Sequence, residues 1–251
     1  MPKTRKQIER EARAEAATRM AYIGSVASGL AHEIRSPLNA IRLNLDLLKE
    51  DLAFVDEAKR AEFGGRVGMI TREVEGLQKL LNEFLTYAKP PRMEMLPTDL
   101  NHLLLEMQQF LAPECERRHI QVATDFQKAL YPVMLDWNQF ARGVIMNLLT
   151  NAMEQIGQHG SIVLHTRESP DYVEVSVEDN GGGVDKANEA KIFELFYSTK
   201  EHGTGLGLAI ARRIVQEHGG EMELENHPGQ GATFVIRLPK SKILEFQKPE
   251  P

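Results

Sequence analysis

The sequence predicts two domains of different class: an all-α helical hairpin, a four-helix bundle when two copies pair, followed by an α+β sandwich. Three observations predict this. The 251 residues are 42% hydrophobic and 26% charged, enough apolar matter for one large domain or two small ones. Glycine is lopsided, with six of the 19 before residue 140 and 13 after it. Apolar residues recur at helical spacing up to residue 88, whereas alternating runs dominate beyond residue 120.

Composition also narrows the function. Cys115 is the single cysteine, which excludes a disulfide framework and any multi-cysteine metal site. The net charge of -6 argues against nucleic acid as a partner. No apolar run approaches the roughly 20 residues of a membrane helix. The first 20 residues are charged and Ala-rich, unlike a signal-peptide core. The expectation is a soluble cytoplasmic protein.

Residues 3–52 read as one long helix, opened by KTRKQIEREARAEAATRM, a run of helix formers. Its Lys3, Arg5, Lys6, Arg10, Arg13 and Arg19 outnumber Glu9, Glu11 and Glu15, and a solvated face is the simplest reading. Ala27, Ile34, Ile41 and Leu48 step by seven, as do Leu38, Leu45 and Leu52. Before Pro37 the second series is offset by one, through Ile23 and Leu30, which makes a coiled-coil-like seam with a slip at the proline. A second helix is predicted over about 60–88, where Val67, Ile70, Val74, Leu77, Leu81, Phe84 and Ala88 alternate steps of three and four. One hairpin cannot bury both stripes alone, so a homodimer is expected.

Pro90-Pro91 ends that helix and opens a linker over 89–96. A helix over 99–118 follows, capped by Thr98 or Asp99, then strands at Ile120–Phe126 and Tyr131–Leu135. Asp136 caps a helix to about Ile156. Ser161–Arg167 and Tyr172–Glu178 form a hairpin around Ser169-Pro170-Asp171. Residues 205–218 are helical and stop at Gly219-Gly220, and Glu221–Glu225 pairs with Ala232–Leu238. The result is one mixed sheet with helices on one face, and a polar, loose tail after Pro239.

Four segments carry candidate chemistry. In GLAHEIRSPLNAI, His32 points away from the seam of Leu30 and Ile34, and Ser36 shares its face four residues on. Pro37 deletes a helical hydrogen bond at a cost of roughly 3 kcal/mol, a defect more at home at a working site. A largely neutral imidazole can attack a phosphoryl group, and a nearby carboxylate can take its proton. Glu33 at i+1 does not face His32 on an ideal helix, so spacing does not prove that role. In NLLTNAMEQI, Asn147 and Asn151 share one face and can offer amide oxygens to Mg²⁺, or simply form a hydrogen-bonding surface pair. EDNGGGV sets Asp179 before three glycines at a strand end; for this fragment alone an ordinary Asp-Asn-Gly turn is the simpler reading. HGTGLGLAIARRIV leads Gly203, Thr204, Gly205, Leu206 and Gly207 into a helix whose N-terminus suits phosphate. Its spacing matches neither a dinucleotide fingerprint nor a P-loop. Between these lies KIFELFYSTK, whose aromatics can pack under a lid and whose Lys200 can reach a phosphate.

In this order, the five segments resemble the two-component sensor histidine kinases over about residues 20–239, and HEIRSPL with FYSTK…GTGLGLAI is most similar to the nitrogen-sensor subgroup. The resemblance implies a phosphoacceptor and dimerisation hairpin over 1–90 and an ATP-binding domain of the gyrase- and chaperone-related (GHKL) type over 97–240. It implies His32 as phosphoacceptor and Glu33 as its base or orienting partner. Ser36 matches the position that holds water for dephosphorylating a partner regulator. It implies Asn151 as Mg²⁺ ligand and Asp179 as acceptor for the adenine amino group. Gly181, Gly183, Gly205 and Gly207 would shape the ATP loops, with Phe193 to Gly203 as lid. Asn147 sits where the hydrolytic relatives carry a water-activating glutamate, which fits transfer to histidine rather than to water. Ala232, in GQGATF, occupies a position where Thr or Ser is frequent, with Thr233 adjacent.

The resemblance further implies ATP and Mg²⁺ as cofactors and a response regulator receiver domain as partner; with no sensor segment evident beside this core, the expectation is a signal from a separate sensor protein or through the N-terminal helix. Two other readings stay open at this point. One is a regulator phosphatase with ATP as effector, relying on Ser36; the other is a dimeric scaffold that keeps the nucleotide fold without turnover.

Overall fold

The computed structural model describes residues 34, 37–50, 52, 56–88, 93–200 and 203–240. The helix expected before residue 34, with His32, Glu33 and Ser36, lies outside the described residues, as do the linker over 89–92 and the tail beyond 240. The chain divides into two compact units, Met1–Arg92 and Met93–Pro251.

In the first unit, residues 37–50 form helix α1 and Glu57–Ala88 form α2. α2 starts three residues before the helix expected from about residue 60. The two heptad series of α1 have different fates. Leu38 and Leu45 bury against Val67 and Val74 of α2, with Leu52 packed at the edge. Ile41 and Leu48 stay 43% and 48% exposed, and Ile70 and Leu77 of α2 stay 48% and 52% exposed. One stripe therefore closes the hairpin and a second is left open. Gln78 Nε2 donates to Asn39 Oδ1 across the helices at 3.0 Å, which pins their register.

The second unit is built on a five-stranded mixed sheet. Its strands are β2 (Ile120–Phe126), β4 (Gly160–Glu168), β5 (Tyr172–Asp179), β6 (Glu221–His227) and β7 (Gly231–Pro239), in the order β2-β4-β5-β7-β6. β2 and β4 run parallel and the other neighbours antiparallel. A parallel pair needs a long crossover. Here it contains β3 (Val133–Leu135), α4 (Trp137–Phe140), a π-helical turn at Ala141–Ile145 and α5 (Met146–Ile156). A short antiparallel pair of β1 (Leu96–Thr98) with β3 stands apart from the main sheet; the sequence pattern does not reveal β1. α3 (Leu100–Arg118) and α6 (Gly207–Glu217) complete the helical layer.

Strand alternation divides the sheet into two faces. Ile162, Leu164, Val173, Val175, Val177, Phe234 and Ile236 are buried, as are Leu103, Leu104, Leu148 and Leu149 of the helices. The opposite face carries His165, Arg167, Glu174, Ser176, Glu178 and Thr233, which line a concavity of about 480 Å³. An α+β sandwich with helices on one face is thus the observed architecture.

The helix from Asp136 to Ile156 expected from sequence is not uniform. It starts at the Asp136 cap but passes through the π-helical turn before α5. Gly143 lies in that turn, and a Cβ there would collide with the Ile214 side chain of α6. The missing side chain lets α6 press close, and the wide turn re-aims α5 behind it.

Asp136 ties three distant pieces together. Its carboxylate accepts from the Gln139 and Glu94 backbone N–H groups, each at 3.0 Å. Its own N–H donates to His218 Nε2 at 3.0 Å, and His218 Nδ1 pairs with the Ile214 carbonyl at 2.7 Å. A proton on Nδ1 satisfies both ring nitrogens. Burial pushes the Asp136 carboxyl up, but the bonds from the Gln139 backbone and side chain and the Glu94 N–H leave it below the ordinary carboxylate value. Asp136→Ala removes a cap and orphans the Glu94 N–H. Urea denaturation of this variant is expected to show a loss of about 1–3 kcal/mol at neutral pH. A carboxyl depressed in the fold stabilises above its unfolded pKa and loses that contribution as pH falls through the folded value. The gap between wild type and variant is therefore expected to shrink in acid.

Candidate nucleotide site

The site assembles along one face of α5. Asn147, Asn151 and Gln155 lie four residues apart, so they stack on that face, while Leu148, Leu149, Ala152 and Met153 bury the opposite side. Each of the three meets a different loop.

Asn147 Nδ2 donates to the Gly143 carbonyl at 2.8 Å, which fixes the amide. Its Oδ1 then faces the start of α6: a Cβ on Gly207 would lie 3.4 Å from it. Asn151 Oδ1 accepts from Lys200 Nζ at 2.9 Å, and the same ammonium contacts the Glu154 carboxylate. At Gln155 the glycine loop after β5 crosses the helix, where a Cβ on Gly181 would lie 3.0 Å from the Gln155 carbonyl carbon.

Asp179 ends β5, facing the helical layer, and is 4% exposed. Its Oδ1 accepts from the Gly181 N–H at 2.9 Å. Burial raises its carboxyl above the ordinary value, Gly181 and Ala232 N–H groups oppose this, and Glu178 adds to it. The bond to the Gly181 N–H is that of an Asp-Asn-Gly turn, as the simpler reading of EDNGGGV has it, but here the carboxylate is buried. Asn180 is structural, accepting from the Ser161 N–H at 2.8 Å. Gly183 has φ 68°, and a Cβ there would come within 2.9 Å of the Gly231 and His227 carbonyls. Gly231, with φ 124°, packs so tightly on Asp179 that a Cβ would strike its carbonyl. Sequence reasoning did not assign Gly231, although the GQG run was visible.

The loop before α6 folds on itself. Gly205 has φ 66°, and its carbonyl accepts from the Phe196 N–H at 3.1 Å. Ser198 Oγ accepts from the Lys200 N–H at 3.1 Å and occupies the space a Gly203 side chain would need. Leu206 is fully buried, an apolar anchor for the loop. Thr204 Oγ1 accepts from the Leu206 N–H at 3.4 Å, near the N-terminus of α6. Phe193 does not float under a lid. It meets Phe234 edge-on at 6.3 Å and lies beneath the Arg212 guanidinium at 4.8 Å.

Asn147 and Asn151 thus lie on α5, Asp179 at the end of β5 with Gly181 and Gly183 in the loop after it, and Lys200, Gly203, Thr204, Gly205 and Leu206 in the loop that leads to Gly207, the first residue of α6. Thr233 does not replace a hydroxyl at Ala232. Ala232 is the register partner of Asp179 and faces the helices, whereas Thr233 pairs with Glu178 on the opposite face. That opposite concavity sets Glu174, Glu178 and Glu225 against a single arginine, Arg167, beside His165 and His227, an acidic balance that disfavours polyphosphate.

Residues 23–91 match the family model described as His Kinase A (phospho-acceptor) domain. Residues 138–242 match that of Histidine kinase-, DNA gyrase B-, and HSP90-like ATPase. The catalytic domain of histidine kinase ThkA is 31% identical, covers 59% of this chain and 97% of its own, and superposes with a TM-score of 0.55. The chain belongs to the two-component sensor histidine kinases. The signal transduction histidine-protein kinase AtoS of Escherichia coli (strain K12) is 31% identical over 94% of this chain. This chain spans only 37% of AtoS. Full-length ShkA in complex with AMPPNP is 26% identical and covers 86% of this chain and 46% of its own, with a TM-score of 0.72. ThkA in complex with the response regulator TrrA is also 26% identical, covers 96% of this chain and 68% of its own, and has a TM-score of 0.67. Membership is established for the sensor histidine kinases as a whole, one level coarser than the nitrogen-sensor subgroup.

A histidine kinase fold that buries Asp179 this way sacrifices stability. A carboxyl raised in the fold stabilises below its unfolded pKa, and that contribution is lost as pH rises through the folded value. Asp179→Asn keeps an acceptor for Gly181 and removes the charge. Thermal melts are expected to show the variant gaining stability over wild type from pH 5 to pH 8, with the gap closing in acid.

Proposed function

We propose that this chain is the catalytic core of an ATP-dependent protein-histidine kinase acting in the cytoplasm. It phosphorylates its own His32 and passes the phosphoryl group to an aspartate of a response regulator receiver domain. The observation that carries the reading is the polar face of α5, which presents the Asn147 amide to the α6 N-terminus and the Asn151 amide to Lys200, while the Gln155 backbone and Cβ abut the Asp179 loop. Residues 1–90 serve as dimerisation and phosphoacceptor hairpin, and 97–240 as the nucleotide domain.

Each residue then has a task. Asp179 accepts from the adenine amino group, and its burial away from water strengthens that bond. Gly181 and Gly183 let backbone approach the nucleoside, and Gly203, Thr204, Gly205 and Gly207 offer backbone to the phosphates at the α6 N-terminus. Leu206 anchors that loop in the core. Asn151 is the metal ligand; its amide oxygen already faces a cation, the Lys200 ammonium, which is the donor chemistry a hard Mg²⁺ ion accepts. When bound, Mg²⁺ supplies charge neutralisation on the phosphates. Lys200 adds a point charge beside it.

The His32 ring nitrogen attacks the γ-phosphorus, the bond to the β-bridging oxygen breaks, and ADP leaves with that electron pair. Glu33 orients the ring or takes its proton. A regulator carboxylate then attacks phosphorus and the P–N bond breaks. Asn147 cannot act as a base toward water, which favours histidine as acceptor over hydrolysis. Ser36 holds the water for the reverse traffic, dephosphorylation of the regulator. In support, the solved ShkA complex holds AMPPNP and the ThkA complex holds TrrA.

Incubation with labelled ATP and Mg²⁺ is expected to give acid-labile, base-stable phosphate. His32→Gln is expected to abolish it, and Asn151→Ala to reduce it at least about 100-fold. Acid-stable label, or label retained in His32→Gln, contradicts the proposal.

The open stripe of Ile41, Leu48, Ile70 and Leu77 is the seam of a homodimer, closing a four-helix bundle. Ile41→Asp with Leu77→Asp is expected to convert a dimer to monomer by light scattering and leave nucleotide affinity within about twofold. A wild-type monomer at micromolar concentration contradicts it.

A further inference from the structure

Glu154 has no task in the machinery above, yet it sits one turn beyond Asn151 on α5 and shares the same ammonium. Its side chain is 42% exposed and that of Lys200 31%, so the pair is partly shielded. Lys200 is brought there by its own loop, where Ser198 Oγ accepts from the Lys200 N–H and the Gly203 N–H donates to the Lys200 carbonyl at 3.3 Å. The lysine therefore rests on the amide oxygen assigned to the metal, and the Glu154 carboxylate helps hold it there.

We propose that Glu154 is a positioning residue that parks Lys200 on Asn151 in the nucleotide-free kinase, so that loading MgATP exchanges one cation for another. This rests on the assignment of Asn151 as metal ligand. Asn151 Oδ1 cannot serve an ammonium and a Mg²⁺ ion equally well at once. Arrival of the metal with its nucleotide displaces Nζ, and the phosphates offer the freed lysine a stronger anionic partner than Glu154. The parked state keeps the Lys200 loop ordered against α5 before loading. It also lowers apparent affinity, because only the unparked fraction is competent to bind.

The test uses the full chain and Glu154→Gln, which keeps size and hydrogen bonding but removes the charge. Amide hydrogen exchange without nucleotide is expected to quicken about two- to fivefold over 198–205, with α5 unchanged. MgADP is expected to bind about two- to fivefold tighter than to wild type. Glu154→Asp should lie between them. Lys200→Gln should loosen the same segment, and adding Glu154→Gln to it should do nothing more, which keeps the test valid if one variant folds poorly. Unchanged exchange in Glu154→Gln overturns the parking contact. Weaker MgADP binding in that variant also overturns it, since Glu154 then serves the loaded state. Failure of the wild-type chain to bind MgADP at all would instead remove the metal and nucleotide assignment beneath it.

Discussion

Helix α5 must be apolar on one side and carry amides in a straight row on the other, and the rest of the nucleotide domain depends on that constraint. A row at i, i+4, i+8 stays aligned only over a few turns of regular helix. α5 has Ile156 as its last residue, so the row fits with little to spare. The buried side, Leu148, Leu149, Ala152 and Met153, clamps the helix on the sheet. The amide side is then aimed by default, and three glycine-bearing loops converge on it. The π-helical turn before α5 belongs to the same constraint. It lets α6 approach over Gly143, which brings Gly207 within reach of Asn147.

The loops are costly in conformational terms. Gly183, Gly205 and Gly231 all take positive φ, and at each a side chain would meet backbone atoms. Asp179 adds a carboxylate buried among apolar strands. These features weaken a fold and serve a ligand, the pattern expected where sequence rules are broken at a working site. The first unit shows the same economy in another form. Its hairpin buries Leu38 and Leu45 and leaves Ile41 and Leu48 open, so one helix carries two seams at heptad spacing.

Much of this was legible in the sequence because it rests on periodicity. β2 was read with its observed bounds, and β4, β5 and β7 to within a residue or two, since alternation at buried strands is strong. β1 escaped because Leu96-Pro97-Thr98 is too short to alternate and its proline argues against a strand. The π-helical turn escaped because one wide turn barely shifts a helical period. The shared helical face of Asn147 and Asn151 was legible from their spacing, whereas Asp179 stood out only through the order of the five segments. Glu154, Gln155 and Gly231 were not legible, because each acts through a loop distant in sequence. Thr233 is adjacent to Ala232 in sequence, but strand alternation sends it to the other face.

The central claim is that nucleotide sits on the α5 face. A crystal structure of the full chain with Mg²⁺ and AMPPNP tests it most directly. The account requires Asn151 Oδ1 in the metal's coordination sphere at about 2.1 Å, the adenine amino group on the Asp179 carboxylate, and the phosphates at the start of α6. Nucleotide bound instead in the concavity of His165, Arg167 and Glu178 on the far side of the sheet, or on the α5 face with Asn151 away from the metal, would contradict it.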